Sequence, residues 1–558
     1  MSSDPERVVA DAGRKGRPAR SFAVLVAAGI FLSRVAGLIR ERVFAHYLGN
    51  SAAAGAFKAA LKIPNLLQNL LGEAVLSASF IPVYARLVAE GKQELAGRVA
   101  GVVASLLALV VSVVVVAGTL ITPWIIDAIA PGFTGDDRLL TIRIVRILFP
   151  ATGVLVLSAW CLGILNSHRR FFLPYVAPVL WNAAMIATML LFGAKLDDPS
   201  LAVALAWGTF AGALLQLGVQ LPFVFRNASH IAFGLQTTLE PVQRIFRNVG
   251  PVFIGRGVVQ LSAYIDLWIA SFLGTLAVSA MGYAQTLYLL PVSLFGMSVA
   301  AAELPQMSSA VGEPAEVQQA LRSRLTAGLR QIAFFVVPSA VAFVLIGNFL
   351  VAAVFETGEF DRDDTQLVWY ILAGSTLGLV AATMGRLINS AFYALHDTRT
   401  PLKFALVRVS LTAILGYLFA FPLRTATIAL ISQTMHLSLP NDPAFQLALG
   451  AVGVTAGSAL AGCVEFVMLR GAMQNRIGEL PRAPRFHFSI WTAAIGAGLV
   501  ACLAGRFIAS SVENVFGSLG PVVAAAAVCS LYGLLYVSVT MMLGVAESHS
   551  LVRRLRRT

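Results

Sequence analysis

Long apolar stretches dominate the chain, interrupted at intervals by short polar segments. A membrane-spanning helix needs about 20 mostly apolar residues. Fourteen segments meet that pattern: 22–48, 56–85, 99–127, 139–166, 172–194, 200–225, 246–273, 276–308, 326–355, 365–395, 401–422, 445–469, 487–511 and 518–545. The pattern predicts an all-α integral membrane protein of about 14 transmembrane helices. Composition agrees, with 58% hydrophobic and 12% charged residues, where soluble domains carry about 25% charged. The basic N-terminus leads into an apolar run without an A-x-A-like site, so no cleavable signal peptide is expected.

The net charge of +13 raises the question of nucleic acid, but its placement answers otherwise. Arginine and lysine crowd the two tails and every second loop, as at Arg86, Lys92 and Arg98, or Arg470, Arg476, Arg482 and Arg485. The opposite loops hold Arg138, Lys195, Arg362, Arg424 and Arg506. This asymmetry predicts a multi-pass membrane protein with both termini cytoplasmic. Membrane lipids are then its surroundings, and nucleic acid is not a partner. Cys161, Cys463, Cys502 and Cys529 all fall within spans and read as small buried hydrophobes.

The chain also repeats. GEAVLSASFIP (72–82) matches GMSVAAAELP (296–305), and LITPWIIDAIAPGF (120–133) matches LIGNFLVAAVFETGEF (345–360). LNS (165–167) matches INS (388–390), and YLG (47–49) matches FLG (272–274). All four offsets fall between 223 and 225 residues. Six spans per repeat preserve orientation, so two parallel lobes are expected, with a substrate site at their interface. The expected organisation is a basic tail (1–21), a six-helix lobe (22–238), a second six-helix lobe (239–475), helices thirteen and fourteen (476–548) and a basic tail (549–558).

Charges inside the spans are the candidate chemistry. A mid-span arginine or aspartate costs about 2.5–3.5 kcal/mol on the insertion scale, yet the first span holds Arg34, Arg40, Glu41 and Arg42. Ending that span near Arg34 leaves twelve residues (22–33), about 18 Å of helix, too short to cross. In span two, Lys58, Lys62, Asn65, Asn69 and Glu73 recur every three or four residues, which at about 100° per residue makes one polar stripe. Span seven adds Arg256 and Asp266, and span eight adds Glu303. Spans one, two, seven and eight occupy equivalent repeat positions, so a hydrated, mainly cationic central cavity is expected. Guanidinium groups suit phosphate above all. Pro64, Gly72, Pro291 and Gly296 are candidate bends.

SRVAGLIRERVFAHYLG, KIPNLLQNLLGEAVLSASFIPVYAR and GILNSHRRFFLPYVAPVLWN resemble the MurJ/MviN family of lipid II flippases, in the multidrug/oligosaccharidyl-lipid/polysaccharide exporter superfamily. The resemblance covers essentially all fourteen predicted helices. It implies carriage of a lipid-linked anionic substrate, a polyprenyl pyrophosphate bearing the peptidoglycan precursor, from the inner to the outer leaflet. It places the family's essential arginines on Arg34 and Arg40, its adjacent acid on Glu41, its span-two lysine on Lys62 and a later acid on Glu73. It also implies a lipid-tail groove formed by spans thirteen and fourteen. Three departures stand out: Gln68 and Asn69 follow Pro64-Asn65-Leu66-Leu67 where the family usually has arginine, Gln285-Thr286 replace an Asp-Arg pair, and an early span-two acid is replaced near Gly55. Lys58 and Arg256 stand where the family is usually uncharged, which suggests relocated cationic charge.

Two other readings stay open. One is a polysaccharide-lipid or drug exporter of the same superfamily, although cavity bases argue against cationic drugs. The other is a membrane enzyme acting on polyprenyl phosphates, for which GDDR (135–138) and DRDD (361–364) are the superficial acidic motifs. The seven histidines show no metal-site spacing, and neither metal nor cofactor is expected. Coupling to membrane potential or a monovalent ion is compatible with Asp266, Glu303 and Glu465. No oligomeric state follows from the sequence.

Overall fold

A computed structural model describes residues 28–555, apart from 75, 171, 229, 301–302, 304–306, 308–313, 396, 436–439, 441 and 482. The described residues form helices and short connections without a strand, and Thr357 and Phe360 make an isolated bridge. In chain order the helices are α1 (28–48), α2 (Ala52–Leu67), α3 (Ile81–Ala89), α4 (Gln93–Ile129), α5 (Gly135–Ser167), α6 (Phe172–Phe192), α7 (Asp198–Asn227), α8 (Glu240–Ser271) and α9 (Thr275–Pro291). Then follow α10 (Pro314–Leu345), α11 (Gly347–Phe355), α12 (Arg362–Thr376), α13 (Leu379–Ala394), α14 (Arg399–Ala420) and α15 (Arg424–Met435). The last are α16 (Pro443–Ala448), α17 (Gly450–Ile477), α18 (Pro484–Phe516), α19 (Gly520–Met542) and α20 (Ala546–Leu555).

Nine of the described spans are long and apolar enough to cross a membrane: α4, α5, α6, α7, α10, α14, α16 with α17, α18 and α19. The pair α12–α13, bent by 46°, makes a tenth. Their lipid-facing sides are apolar, as at Leu109, Val113, Val116, Leu120 and Trp124 along α4, all exposed. The sequence count of fourteen therefore rests on four further spans, one, two, seven and eight, which are those carrying the central charges. Three expected single helices are divided: span nine at Ile346 into α10 and α11, span ten into α12 and α13, and span twelve into α16 and α17. Helices α15 and α20 were not expected.

Span two is not one α-helix. It runs as α2, then π-helical segments Gln68–Ala74 and Leu76–Phe80, then α3. The wider π turn shifts the helical register, so Lys58, Lys62 and Asn65 share an α-helical face that Asn69 and Glu73 do not simply continue. The expected bend takes this form.

The repeat is visible in the same place. A third π segment, Val292–Met297, follows α9 and starts 224 residues after Gln68, where the first begins. A Cβ on Gly72 would stand 3.2 Å from Ala159 Cβ, and one on Gly296 2.5 Å from Thr383 Cγ2. Both the glycines and their neighbours are 224 residues apart. Thr152 and Thr376, at the same offset, each donate to the carbonyl four residues earlier. Each repeat thus widens its second helix where a glycine meets the fourth.

The chain divides into two compact units. The first comprises residues up to Tyr47, Ala59–Ile126 and Arg138–Gly257; the second comprises Leu48–Lys58, Asp127–Asp137 and the chain from Val258 on. In the first unit, Tyr84, Trp160, Val99 and Ile164 belong to one buried apolar cluster. Ser158 donates to Gln220 and accepts from Gln216, both at 3.0 Å, so α5 and α7 satisfy each other's buried polar groups. Just past α5, His168 lies 2.9 Å from Tyr84 Oη, and burial lowers its pKa below the ordinary 6.5.

In the second unit, Pro338 sits inside α10 and lacks the N–H that would bond the Phe334 carbonyl. Tyr536 on α19 donates its hydroxyl to that oxygen at 2.8 Å, and Tyr532 donates to Pro338 O at 2.8 Å. The last spans, outside the repeat, are thereby fastened to α10. Arg330 adds a bidentate bond to Glu547 on α20 and stacks on Phe486.

Candidate functional site

Helix α1 continues unbroken from 28 to 48, which excludes a span ending at Arg34. Arg40 lies eight residues before its end, about 12 Å along the axis. Its guanidinium contacts Glu41 Oε1 at 2.6 Å, with side chains 17% and 14% exposed. Adjacent helical residues do not face each other, so another element must shape this pair. That element is α6: Arg40 Nη1 donates to Asn182 Oδ1 at 3.1 Å, and its guanidinium carbon lies 5.3 Å from the Trp181 ring centroid. Asn182 is oriented by donating Nδ2 to Pro178 O. Asn182 and Trp181 were not among the expected site residues; the only sequence signal for them is the spacing of Pro178 and Asn182 in the PYVAPVLWN part of the segment quoted above.

Among the other expected site residues, Arg34 is exposed, with no hydrogen bond or ion pair to a described residue. Arg42 and Lys62 are half-buried and engaged with neighbours. Asn65 and Asn69 are exposed. The side chains of Glu73 and Arg256 lie outside the described residues. Arg34, Arg40 and Glu41 therefore belong to the first unit around α1 and α6.

Lys58 belongs to the second unit and is engaged differently. Its Nζ lies 2.8 Å from the Tyr283 ring centroid and donates to Ser279 O at 3.4 Å, a cation–π contact rather than an open base. Tyr283 is fully buried against Phe355 and Phe360 and donates to Gly49 O at 2.6 Å. Gly49 has φ +51°, and a Cβ there would meet Glu359 O at 2.5 Å, so only glycine fits. A Cβ on Gly132 would likewise collide with Ser271 O. Gly132 N donates to Ser271 Oγ, and Thr275 Oγ1 to Asp137 Oδ2. The segments 48–58 and 127–137 of the first repeat are thus clasped to the start of α9, the end of α8 and the 356–360 loop.

The three candidate coupling acids each have a partner. Asp266 accepts from Ser458 Oγ at 3.5 Å, Glu303 lies 3.7 Å from Arg324, and Glu465 Oε2 lies 3.3 Å from Arg408 Nη1. The acidic motifs open helices: Asp136 and Asp137 lie in the first turn of α5, and Asp361 caps α12 by accepting from Asp364 N. On the opposite side of the sequence topology, Asp397 accepts from Arg399 N, Thr400 N and Thr400 Oγ1 and contacts Arg476 at 2.6 Å. The Thr400 bonds, helped by Arg476, hold its carboxyl below the ordinary value.

The family described as Lipid II flippase MurJ matches residues 44–439. The chain belongs to the lipid II flippase MurJ family. It is 33% identical over 405 residues to the lipid II flippase MurJ of Burkholderia cenocepacia, covering 71% of this chain and 78% of that protein. It is 28% identical over 546 residues to a probable lipid II flippase MurJ of Rhizobium tropici, covering 94% of each. Among solved structures it is similar to a lipid II flippase MurJ in an inward closed conformation, with TM-score 0.71 and 21% identity over 95% of this chain and all of that one. A multidrug resistance MATE family transporter of the MOP superfamily aligns with TM-score 0.60 and 16% identity over 81% of this chain and 98% of that one. These two likenesses show a shared fold. The chain is an all-α, multi-pass membrane protein of a transporter family, not of an enzyme family.

Proposed function

We propose that the chain is a flippase for lipid II, moving this lipid-linked peptidoglycan precursor from the inner to the outer leaflet of the bacterial cytoplasmic membrane by alternating access. Family membership supports the substrate. The carrying observation is the Arg40–Glu41–Asn182–Trp181 constellation. It is a positioned guanidinium at membrane depth, balanced by one acid and joined on α1 by the exposed Arg34. Such a group can exchange its carboxylate for pyrophosphate oxygens as substrate enters, because guanidinium offers the same fork to either. The polyprenyl tail stays in lipid along the last two spans. The clasp around Tyr283 closes the external ends, and its release opens the outward route. Arg34, Lys62, Asn65, Asn69, Glu73 and Arg256 are proposed as further headgroup contacts. Membrane potential, worth about 2.3 kcal/mol per charge per 100 mV, can drive the cycle, with Asp266, Glu303 or Glu465 as candidate ion sites.

The test is complementation of a bacterium depleted of its own lipid II flippase. The wild-type chain is expected to restore growth, and Arg40→Gln, present at equal membrane level, is not. Growth restored equally by both contradicts the proposal.

A further inference from the structure

The segment joining α7 to α8 belongs to the first unit and is not a free loop. Residues 231–236 adopt no regular element, yet they are seated on α4 in a fixed register. A Cβ on Gly97 would collide with His230 O, and one on Gly101 with Ala232 O. One turn further along the same face, Ser105 Oγ accepts from Gly234 N at 3.2 Å while donating to Gly101 O at 3.0 Å. Each step covers four residues of α4 and two of the segment, about 6 Å of helix against about 6.6 Å of extended chain. A backbone thus lies along a groove cut by two glycines and a serine. His230 has φ +94°, which a residue other than glycine keeps only where its surroundings impose it.

The depth of this contact follows from α4. Its 37 residues measure about 55 Å, against a hydrocarbon core of about 30 Å, so its first turns lie in the interface. Residues 97–105 straddle the start of the predicted span at 99, on the side that the basic loops assign to the cytoplasm. The segment makes two opposing demands there. Phe233 and Leu235 are 61% and 60% exposed, and Phe233 meets the exposed Phe225 of α7 edge-on, with ring centroids 6.4 Å apart. Such apolar surface favours acyl chains over water. Among the described residues, however, Gly234 N is the one backbone group of 231–236 with a hydrogen-bond partner, and the others need water or headgroup oxygens. The boundary between headgroups and acyl chains meets both demands. Arg226, Arg244 and Arg247, exposed on the flanking helices, match anionic headgroups at that level.

We propose that residues 230–239 form a strap whose partner is the lipid surface: α4 seats its backbone, and Phe233 and Leu235 enter the acyl region of the cytoplasmic leaflet. Ile231 and Leu239 close its inner side by packing on the buried cluster that holds Val99 and Trp160. The link between the two sequence repeats is thereby a membrane anchor of the first unit, whatever substrate the protein carries.

The test uses the full-length chain in nanodiscs, with its four native cysteines changed to alanine and a bimane fluorophore on F233C, L235C or, as an aqueous control in the turn before α4, K92C. Nitroxide-labelled phospholipid should quench the probes at 233 and 235 and leave that at 92 bright, whereas iodide in the buffer should do the reverse. G101L, which places a side chain where Ala232 O now sits, should unseat the strap and move the 233 probe from lipid quenching to iodide quenching. S105A, which removes one bond, should produce a smaller shift in the same direction and serves if G101L does not reach the membrane. Iodide quenching at 233 and 235 without lipid quenching would mark an aqueous loop, and protection from both quenchers would mark a covering protein; either result overturns the strap. Lipid quenching unchanged in both G101L and S105A overturns its seating on α4.

Discussion

Helices α1 and α14 each carry an arginine through apolar surroundings, and the two units handle it differently. In the first, Arg40 has one adjacent acid, an oriented asparagine and an aromatic face, so its donors are largely satisfied within the protein. In the second, Arg408 contacts Glu465 at 3.3 Å with its side chain 37% exposed, and its Nε has no partner among the described residues. The first guanidinium is fixed by three groups, whereas the second is held by one acid and stays open to its surroundings. The same residue types thus yield a poised group in one unit and a more loosely held ion pair in the other.

The contrast is broken most severely at Arg40. Arg40→Ala removes the guanidinium from a part-buried ion pair with Glu41, for which losses reach about 3–5 kcal/mol. Unfolding of purified protein should show it, together with lost complementation. The double variant R40A/E41Q should regain much of the stability but none of the growth, separating charge balance from function. Equal growth of the double variant and wild type would remove Arg40 from the transport pathway.

Next come the two tyrosine hydroxyls that satisfy stranded carbonyls. Tyr283→Phe exposes Gly49 O and Tyr536→Phe exposes Phe334 O, each costing about 1–3 kcal/mol for an unmade buried bond. Denaturant unfolding should register similar losses. Only Tyr283→Phe should alter transport, because Tyr536 ties α19 to α10 while Tyr283 holds the external clasp. Lys58→Met removes a cation–π contact worth about 0.5–2 kcal/mol and should weaken growth far less than Arg40→Ala. A null phenotype for Lys58→Met as severe as that of Arg40→Ala would return Lys58 to the substrate path.

The smallest effect concerns pH at the α13–α14 turn. Asp397 has a carboxyl held below its ordinary 3.8, first by the Thr400 side-chain and backbone bonds. A lowered acid pKa contributes stability that is fully present above the ordinary value and is lost as pH falls through the lowered one. Hydrogen exchange at the Arg399 and Thr400 amides should therefore stay protected at pH 5 relative to Asp397→Asn. Equal protection in the two proteins at that pH contradicts the assignment.

Much of this was legible in the sequence because hydropathy and repeated motifs report on burial and symmetry. The 224-residue offset reappears as paired π segments and as matching Gly72–Ala159 and Gly296–Thr383 contacts. The π turns themselves were not legible: Pro64 and Gly72 announce a bend, but not which hydrogen-bond pattern relieves it. Lys58 read as part of a polar stripe because periodicity places a residue on a face without saying which ring lies opposite. Arg408 stands alone in an apolar span, and nothing local distinguishes a solitary snorkelling arginine from one paired with an acid on another helix. Trp181 and Asn182 were visible only as a spacing.

Alternating access requires the external clasp to open, and a disulfide tests that most directly. Thr275 Oγ1 donates to Asp137 Oδ2 at 3.3 Å across the clasp, so cysteines at the two positions face each other. In a flippase-depleted strain carrying D137C/T275C, oxidation should stop lipid II from reaching the outer leaflet and arrest growth, and reduction should restore both. Undiminished outward movement of lipid II by fully crosslinked protein would contradict the account.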